Sequence, residues 1–151
     1  MIGWLLDTNV IAALSNATGA RSVKTWANAV DERDLYISIL TLAEYDKGIE
    51  NLPPTDPSRA RYIGARDALE ERFSHRTLPV DNETVRLWGQ LSGRIKLATT
   101  HAPPVVDTLL AATAIRHRLY LVTRNTRDVV HTGAAVFNPW NDNPSLYPIS
   151  P

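Results

Sequence analysis

The sequence predicts an α/β fold, with a central, mainly parallel sheet covered by helices on both faces. Three observations carry this. Short apolar runs of strand length recur along the chain, segments of helical periodicity separate them, and no repeat, low-complexity tract or linker breaks the alternation. Strands alternating with helices need crossover connections, which set the strands parallel and the helices against the sheet. The 151 residues are expected to form one domain, 1–151, because a chain this long can bury about 68–70% of the surface its unfolded form exposes.

The elements follow in order. Trp4 to Leu6 reads as a strand, and a short helix runs through Ile11 and Leu14. Arg21 to Asp31 carries Val23, Trp26, Ala27 and Val30, a stripe of helical period. Leu35 to Ile39 is a second strand, and Leu42, Tyr45 and Ile49 mark the helix after it. The proline-rich stretch from Leu52 to Pro57 is a loop, and a long helix spans Arg59 to Phe73. Thr77 to Val80 is a weaker strand that Pro79 confines to an edge or end. Asp81 caps a helix bearing Val85, Trp88, Leu91 and Ile95. Pro103-Pro104 is a second loop, and Leu109 to Ile115 is apolar or small nearly all round, as in a helix buried on several sides. Leu119 to Val122 and Val136-Phe137 complete the strands.

Composition narrows the function. There is no cysteine, so disulfides and thiolate metal sites are excluded. The N-terminus has no basic region, and its apolar run stops at Asp7, so no signal peptide is expected. No apolar stretch approaches the roughly 20 residues of a membrane span, and the expected location is the cytoplasm. With 16 basic and 16 acidic side chains the net charge is zero, which gives no basic excess pointing to nucleic acid. Arginines gather at Arg59, Arg61, Arg66, Arg72 and Arg76, and again at Arg116, Arg118, Arg124 and Arg127; alone they read as solvated helix faces.

The acids are more informative. Ligands of an open parallel sheet bind beyond the carboxyl ends of its strands. Asp7 is the first polar residue after the first strand. Glu44 is expected in the first turn of the helix after the second, Asp107 opens the buried helix, and Asn125 and Asp128 follow the strand ending at Val122 and Thr123. Each has a purely structural reading. Asp7 and Asp107 suit helix N-caps, Thr41-Leu42-Ala43-Glu44 spells a capping box, and Asp128 suits a turn. Together those readings weaken, because clustered carboxylates raise one another's pKa. A divalent cation removes that conflict, and oxygen donors without cysteine select Mg²⁺ or Mn²⁺ over zinc. Such an ion draws in phosphate oxygens and lowers the pKa of a coordinated water, so no covalent nucleophile is required. None is evident: no serine sits in a nucleophile motif, and His75, His101, His117 and His131 lack ligand spacing.

These residues resemble a known family. Leu6-Asp7-Thr8-Asn9-Val10 resembles the opening motif of PIN-domain proteins, in particular VapC-type and FitB-like toxins. Thr41 to Glu44 with Gly48-Ile49, Asp107 to Ala114, and Val122 to Asp128 resemble the second, third and fourth motifs, in order. Thr132-Gly133 and Asn138-Pro139-Trp140 resemble the end of FitB-like members. The resemblance implies a PIN-like three-layer α/β/α fold and a Mg²⁺- or Mn²⁺-dependent endoribonuclease acting as the toxin of a type II toxin–antitoxin pair. It assigns Asp7, Glu44 and Asp107 to the metal, with Asp128 and Asn125 completing the site, their relative closeness left open. Thr8 and Asn9 would hold the Asp7 turn, Thr123 would support the site by hydrogen bonding, and Arg124 would contact phosphate or form a structural salt bridge. The implied partners are an RNA substrate, a cognate antitoxin that fills the acidic site with an Arg or Lys, and a second copy in a homodimer. Trp26, Val30, Tyr62 and Trp140 are candidates for such interfaces and equally for core. Two departures from the family pattern stand out: Val129 replaces a common Phe after the last Asp, and the glycine-free loop from Thr99 to Pro104 precedes Asp107.

Two rival readings use the same residues. One is a catalytically inactive PIN-fold module that binds RNA or protein. The other is an aspartyl-phosphate enzyme with Asp7 as nucleophile, a class that usually wants a second Asp where this chain has Asn9.

Overall fold

Five strands and seven helices alternate in the computed structural model, which describes residues 1–150. Pro151, the last residue of the expected domain 1–151, lies outside the described residues. The order is β1 (Gly3–Leu6), α1 (Thr8–Ser15), α2 (Arg21–Ala29), β2 (Leu35–Ser38), α3 (Ile39–Glu50), α4 (Ser58–Arg72), β3 (Thr77–Leu78), α5 (Asn82–Thr99), α6 (Val105–His117), β4 (Leu119–Val122), α7 (Thr126–Val129) and β5 (Val136–Phe137). The strands form one sheet in the order β3-β2-β1-β4-β5, and every pairing is parallel. The short β3 lies at an edge, where Pro79 ends it without leaving an unmet donor inside the sheet.

Side chains of successive strand residues point to opposite faces, and this splits the core in two. Trp4, Leu6, Leu35, Ile37, Tyr120 and Val122 face one way and meet Val10, Ile11, Val23, Trp26, Leu42, Leu69 and Phe73 from α1 to α4 and its end. Leu5, Leu119 and Leu121 face the other and meet Leu110, Ala111 and Ala114 of α6 and Val129 of α7. This is the three-layer α/β/α arrangement. The strands carry apolar residues at every position because both faces are covered.

Several boundaries differ from expectation. The helix expected to run to Asp31 stops at Ala29, because Asp31 instead caps a 3-10 turn at Glu32–Asp34 by accepting from the Arg33 N–H. β2 ends at Ser38, not Ile39. The Ser38 hydroxyl accepts from the Leu40 N–H at 3.0 Å and starts α3 there. Glu44 therefore sits in the second turn of α3, not the first, and the expected capping box at Thr41 does not form: Thr41 is a buried helical residue whose hydroxyl has no partner. The long helix starts at Ser58 and ends at Arg72. The helix expected from Leu109 begins at Val105, directly after Pro104, so Asp107 lies within its first turn and caps nothing. Asp128 is in the one-turn helix α7, not a turn. On α5, Leu91 and Ile95 are buried as expected, whereas Val85 points outward and Thr84 takes the inner position.

The first arginine cluster is held in ion pairs at all but Arg61, whereas in the second only Arg116 is paired and Arg118, Arg124 and Arg127 are exposed, as a solvated face would be. Arg59 reaches Glu50, Arg66 reaches Asp46 and Glu70, Arg72 and Arg76 share Glu32, and Arg116 ties α6 to Asp81 and Glu83 on α5. Asp81 caps α5 by accepting from the Thr84 N–H, as expected, and these bonds lower its pKa to about 2. Among the described residues no helix is long and apolar enough to cross a membrane.

Candidate active site

The site begins where β1 and β4 end together. The Asp7 N–H donates to the Val122 carbonyl at 2.9 Å, extending the pairing of Leu6 with Val122 by one residue. Asp7 is 6% exposed, and its carboxylate is held from three sides. The Thr8 N–H donates to Oδ1 at 2.7 Å; the Thr123 hydroxyl and the Asn9 amide donate to Oδ2 at 2.7 and 3.1 Å. Asp7 is thus the N-cap of α1, as its structural reading held, and also a fixed carboxylate facing a cleft. Asn9 and Thr123 brace each other across the strand ends at 3.3 Å. The Asn125 N–H donates to the Thr123 hydroxyl at 3.0 Å, and the Arg124 N–H donates to Asn9 Oδ1 at 3.2 Å. The expected supporting residues Thr8, Asn9 and Thr123 form one network around Asp7.

The cleft beyond these strand ends has a volume of about 710 Å³. Asp7, Glu44, Asp107 and Asn125, supplied by β1's end, α3, α6 and the β4–α7 connection, all line it. Asp128 does not; it is exposed on α7, close enough for its charge to be felt at Asp107. The structure thus brings Asn125 into the cleft and leaves Asp128 at its rim. Arg124, offered a phosphate or a salt bridge, has no carboxylate partner among the described residues and lies over the Trp140 ring. Of the candidate interface residues, Trp26 is core, packed on Trp4 and Phe137. Val30 and Trp140 are half-buried, and Tyr62 is exposed beside the cleft.

The electrostatics reflect crowding. Burial raises the pKa of Glu44 first, and the charges of Asp7 and Asp107 raise it further; the Thr8 hydroxyl and the Lys47 ammonium pull it down without cancelling the shift. The Thr8 hydroxyl faces Glu44 but lies outside hydrogen-bond geometry to any partner. Asp107 is raised by burial, then by Asp7, then by Asp128. Half-buried acids that raise one another's pKa form a site short of positive charge. The donors are carboxylate and amide oxygens, the set a hard divalent cation prefers. Among the described residues, no three acidic or imidazole side chains stand close enough to enclose an ion as placed. The cleft nevertheless collects the donors in one space.

Two polar residues of the lining were missed from the sequence. Lys47 and Asn51 share the cleft wall with Glu44. The signal was present, since positions three and seven residues along a helix return to the same face. A smaller cavity of about 270 Å³, lined by Thr8, Ala12, Glu44, Tyr45, Gly48 and Tyr62, continues from the cleft along α3.

Comparison with known proteins places this geometry. A PIN domain profile matches residues 4–133. The chain is 31% identical over 140 residues to Toxin FitB of Neisseria gonorrhoeae, covering 91% of this chain and 99% of that protein. It is 29% identical over 136 residues to VapC ribonuclease Y4jK of Sinorhizobium fredii, covering 90% of this chain and 96% of the relative. Among solved structures, FitAB bound to an IR36 DNA fragment superposes with a TM-score of 0.82 at 28% identity, over 93% of this chain and 97% of that one. The profile spans β1 to the turn after α7, and so includes every residue of the acidic cleft. The chain belongs to the PIN-domain family.

Proposed function

We propose that this protein is a Mg²⁺- or Mn²⁺-dependent endoribonuclease, the toxin of a type II toxin–antitoxin pair. The observation that carries the reading is the convergence of Asp7, Glu44, Asp107 and Asn125 from four separate chain segments on one cleft. The relatives named as a toxin and a VapC ribonuclease, aligned over nine-tenths of the chain, support it.

Asp7, Glu44, Asp107 and Asn125 would hold the ion, with Asp128 at the rim adding its charge to the set. A divalent ion bound there would supply neutralisation of phosphate charge and activation of water for hydrolysis. The protein's part is positioning. Thr8, Asn9 and Thr123 fix both Asp7 oxygens, so this donor needs no reorganisation when substrate arrives. Lys47, beside Glu44, supplies a cation for a non-bridging phosphate oxygen.

The antitoxin reading is supported by the cavity past Tyr45 and Tyr62, which gives a peptide an aromatic wall leading to the acids. A basic side chain entering the cleft would take the place of the cation's charge. Homodimer formation is supported by apolar residues left open on α5 and α6, with Leu97 86% and Val105 56% exposed. A cytoplasmic location fits an enzyme acting on cellular RNA.

The test is cleavage of folded total RNA from the source cell by wild type and by Asp7→Asn, in Mg²⁺ and in EDTA. Discrete cleavage that needs both Mg²⁺ and Asp7 is the expected result. No cleavage by folded, antitoxin-free protein in any condition would transfer the assignment to a catalytically inactive PIN-fold binding module.

A further inference from the structure

Five of the nine arginines in the two basic stretches are engaged by carboxylates, and Arg124 is among the four that are not. No acidic side chain among the described residues lies within salt-bridge reach of it. It is exposed, and its guanidinium lies over the Trp140 ring with Cζ 5.1 Å from the centroid. Both ends of that stack are anchored. The Arg124 N–H is bonded to Asn9, whose amide also holds Asp7, and the next residue, Asn125, lines the acidic cleft. The Trp140 N–H donates to Asn138 Oδ1 at 3.0 Å, and the Asn138 N–H donates to Asp142 Oδ2 at 2.8 Å. A guanidinium held over an indole can still offer N–H donors, and less entropy remains to be lost when they take a phosphate.

Trp140 also forms part of a second cavity, of about 810 Å³, whose other walls include Trp26, Tyr147 and Arg21. Trp26 is nearly fully buried, and its indole N–H meets no acceptor among the described residues. From the acids outward, then, the surface offers an unpaired cation, a half-buried indole and an aromatic cavity. Single-stranded nucleic acid is bound by this combination, with cations along the backbone and aromatic faces for the bases. A base still paired in a duplex cannot reach such a cavity.

We propose that Arg124 and Trp140 form a subsite for an unpaired nucleotide flanking the scissile bond, with its phosphate on the Arg124 guanidinium and its base in the aromatic cavity beyond Trp140. The inference rests on the ribonuclease reading of the acidic cleft, and it names Arg124 and Trp140 as the residues that seat the substrate beside the cut.

The test compares a short fluorescein-labelled oligouridylate with the same strand annealed to oligoadenylate. Cleavage kinetics are measured for the wild-type chain, Arg124→Ala, Trp140→Ala and Trp140→Phe. Binding is measured by anisotropy across a salt series with each change placed in the Asp7→Asn background, so that the strand stays intact. Arg124→Ala should raise KM about tenfold or more with kcat within about twofold. It should also flatten the slope of log affinity against log salt by about 0.7, the share of one phosphate contact on a single strand. Trp140→Ala should raise KM as well, and Trp140→Phe, which keeps an aromatic face, should recover most of the loss and guard against a folding defect. The annealed strand should be a poor substrate. Cleavage by wild type with KM and salt slope unmoved in Arg124→Ala would overturn the subsite and leave the ribonuclease reading standing. RNA binding that needs Arg124 and Trp140, without cleavage by wild type, would leave a nucleotide-binding site and remove the nuclease, and with it the placement beside a scissile bond. Neither binding nor cleavage would remove both.

Discussion

Thr123 shows how much of this site is carried by residues that touch no substrate. It is fully buried, donates to Asp7, and accepts from Asn125 and Asn9. Thr123→Val keeps the shape and removes all three bonds. A buried partner left unsatisfied costs about 1–3 kcal/mol, and disturbing the groups behind a metal ligand lowers metal affinity or activity about 10–100-fold. Cleavage and metal titration should both fall in that range, with the fold retained by circular dichroism; full activity would show Asp7 to be held well enough by Thr8 and Asn9. Glu44 and Asp107 behave differently, because the folded protein without a cation disfavours their charge. Their folded pKa values lie above the ordinary carboxylate range, so the folded state binds their protons more tightly than the unfolded chain does. That advantage is present below the ordinary range and is lost as pH rises through the raised values. In EDTA at neutral pH, Glu44→Gln and Asp107→Asn should therefore raise Tm, by no more than about 4 °C given their partial exposure. The gain over wild type should shrink as pH falls, and a drop in Tm at neutral pH would mean that each carboxylate is stabilising where it stands. At this scale the sequence was informative: Asp7, Glu44 and Asp107 could be placed at the sheet's carboxyl edge, where they line one cleft. It was silent on Asn125 against Asp128, because both follow β4 and only the path of α7 separates them.

Helix ends were legible where the capping chemistry had one candidate, as at Asp81, and misread where two competed. Ser38 and Thr41 offer the same hydroxyl. β2 stops pairing with β3 at Ser38, whose match is Leu78, and the chain turns into helix at that point. The two helix ends with left-handed residues were not foreseen at all, since neither is glycine. Thr100 closes α5 at φ 66° and Arg118 closes α6 at φ 57°. A side chain in that region costs about 1–2 kcal/mol relative to right-handed backbone, and glycine avoids it. Arg118 is exposed, has no ion pair among the described residues, and sits at the opposite end of β4 from Thr123. Arg118→Gly should stabilise the protein by up to about 1 kcal/mol after glycine's greater freedom when unfolded is subtracted. That corresponds to about 2–4 °C in Tm for a domain of this length. RNA cleavage should be unchanged, and a lower Tm would show that the arginine makes contacts worth more than the strain it carries.

For the whole molecule, the alternation of strand and helix was enough to predict a parallel sheet, but the strand order was not legible. Nothing in the four-residue runs Gly3–Leu6, Leu35–Ser38 and Leu119–Val122 says that β1 lies between the other two; the packing of two separate cores decides it. That placement has an energetic consequence. With β1 central, Asp7 is buried between the ends of β2 and β4, and the acids of α3 and α6 are drawn to it from either side of the sheet. The fold therefore holds a charge conflict at its centre, and a cation that relieves it must stabilise the entire domain through linkage. Mg²⁺ or Mn²⁺ added to metal-free protein should raise Tm, and at 100 times the dissociation constant the gain is about 2.7 kcal/mol, roughly 5–11 °C at this size. Asp7→Asn should lose most of that response, whereas Arg118→Gly, remote from the cleft, should keep it in full. Wild-type protein whose Tm ignores both ions while Ca²⁺ and high salt also leave it unmoved would show that the acids tolerate one another unaided, and the case for a metal-dependent nuclease would lose its physical basis.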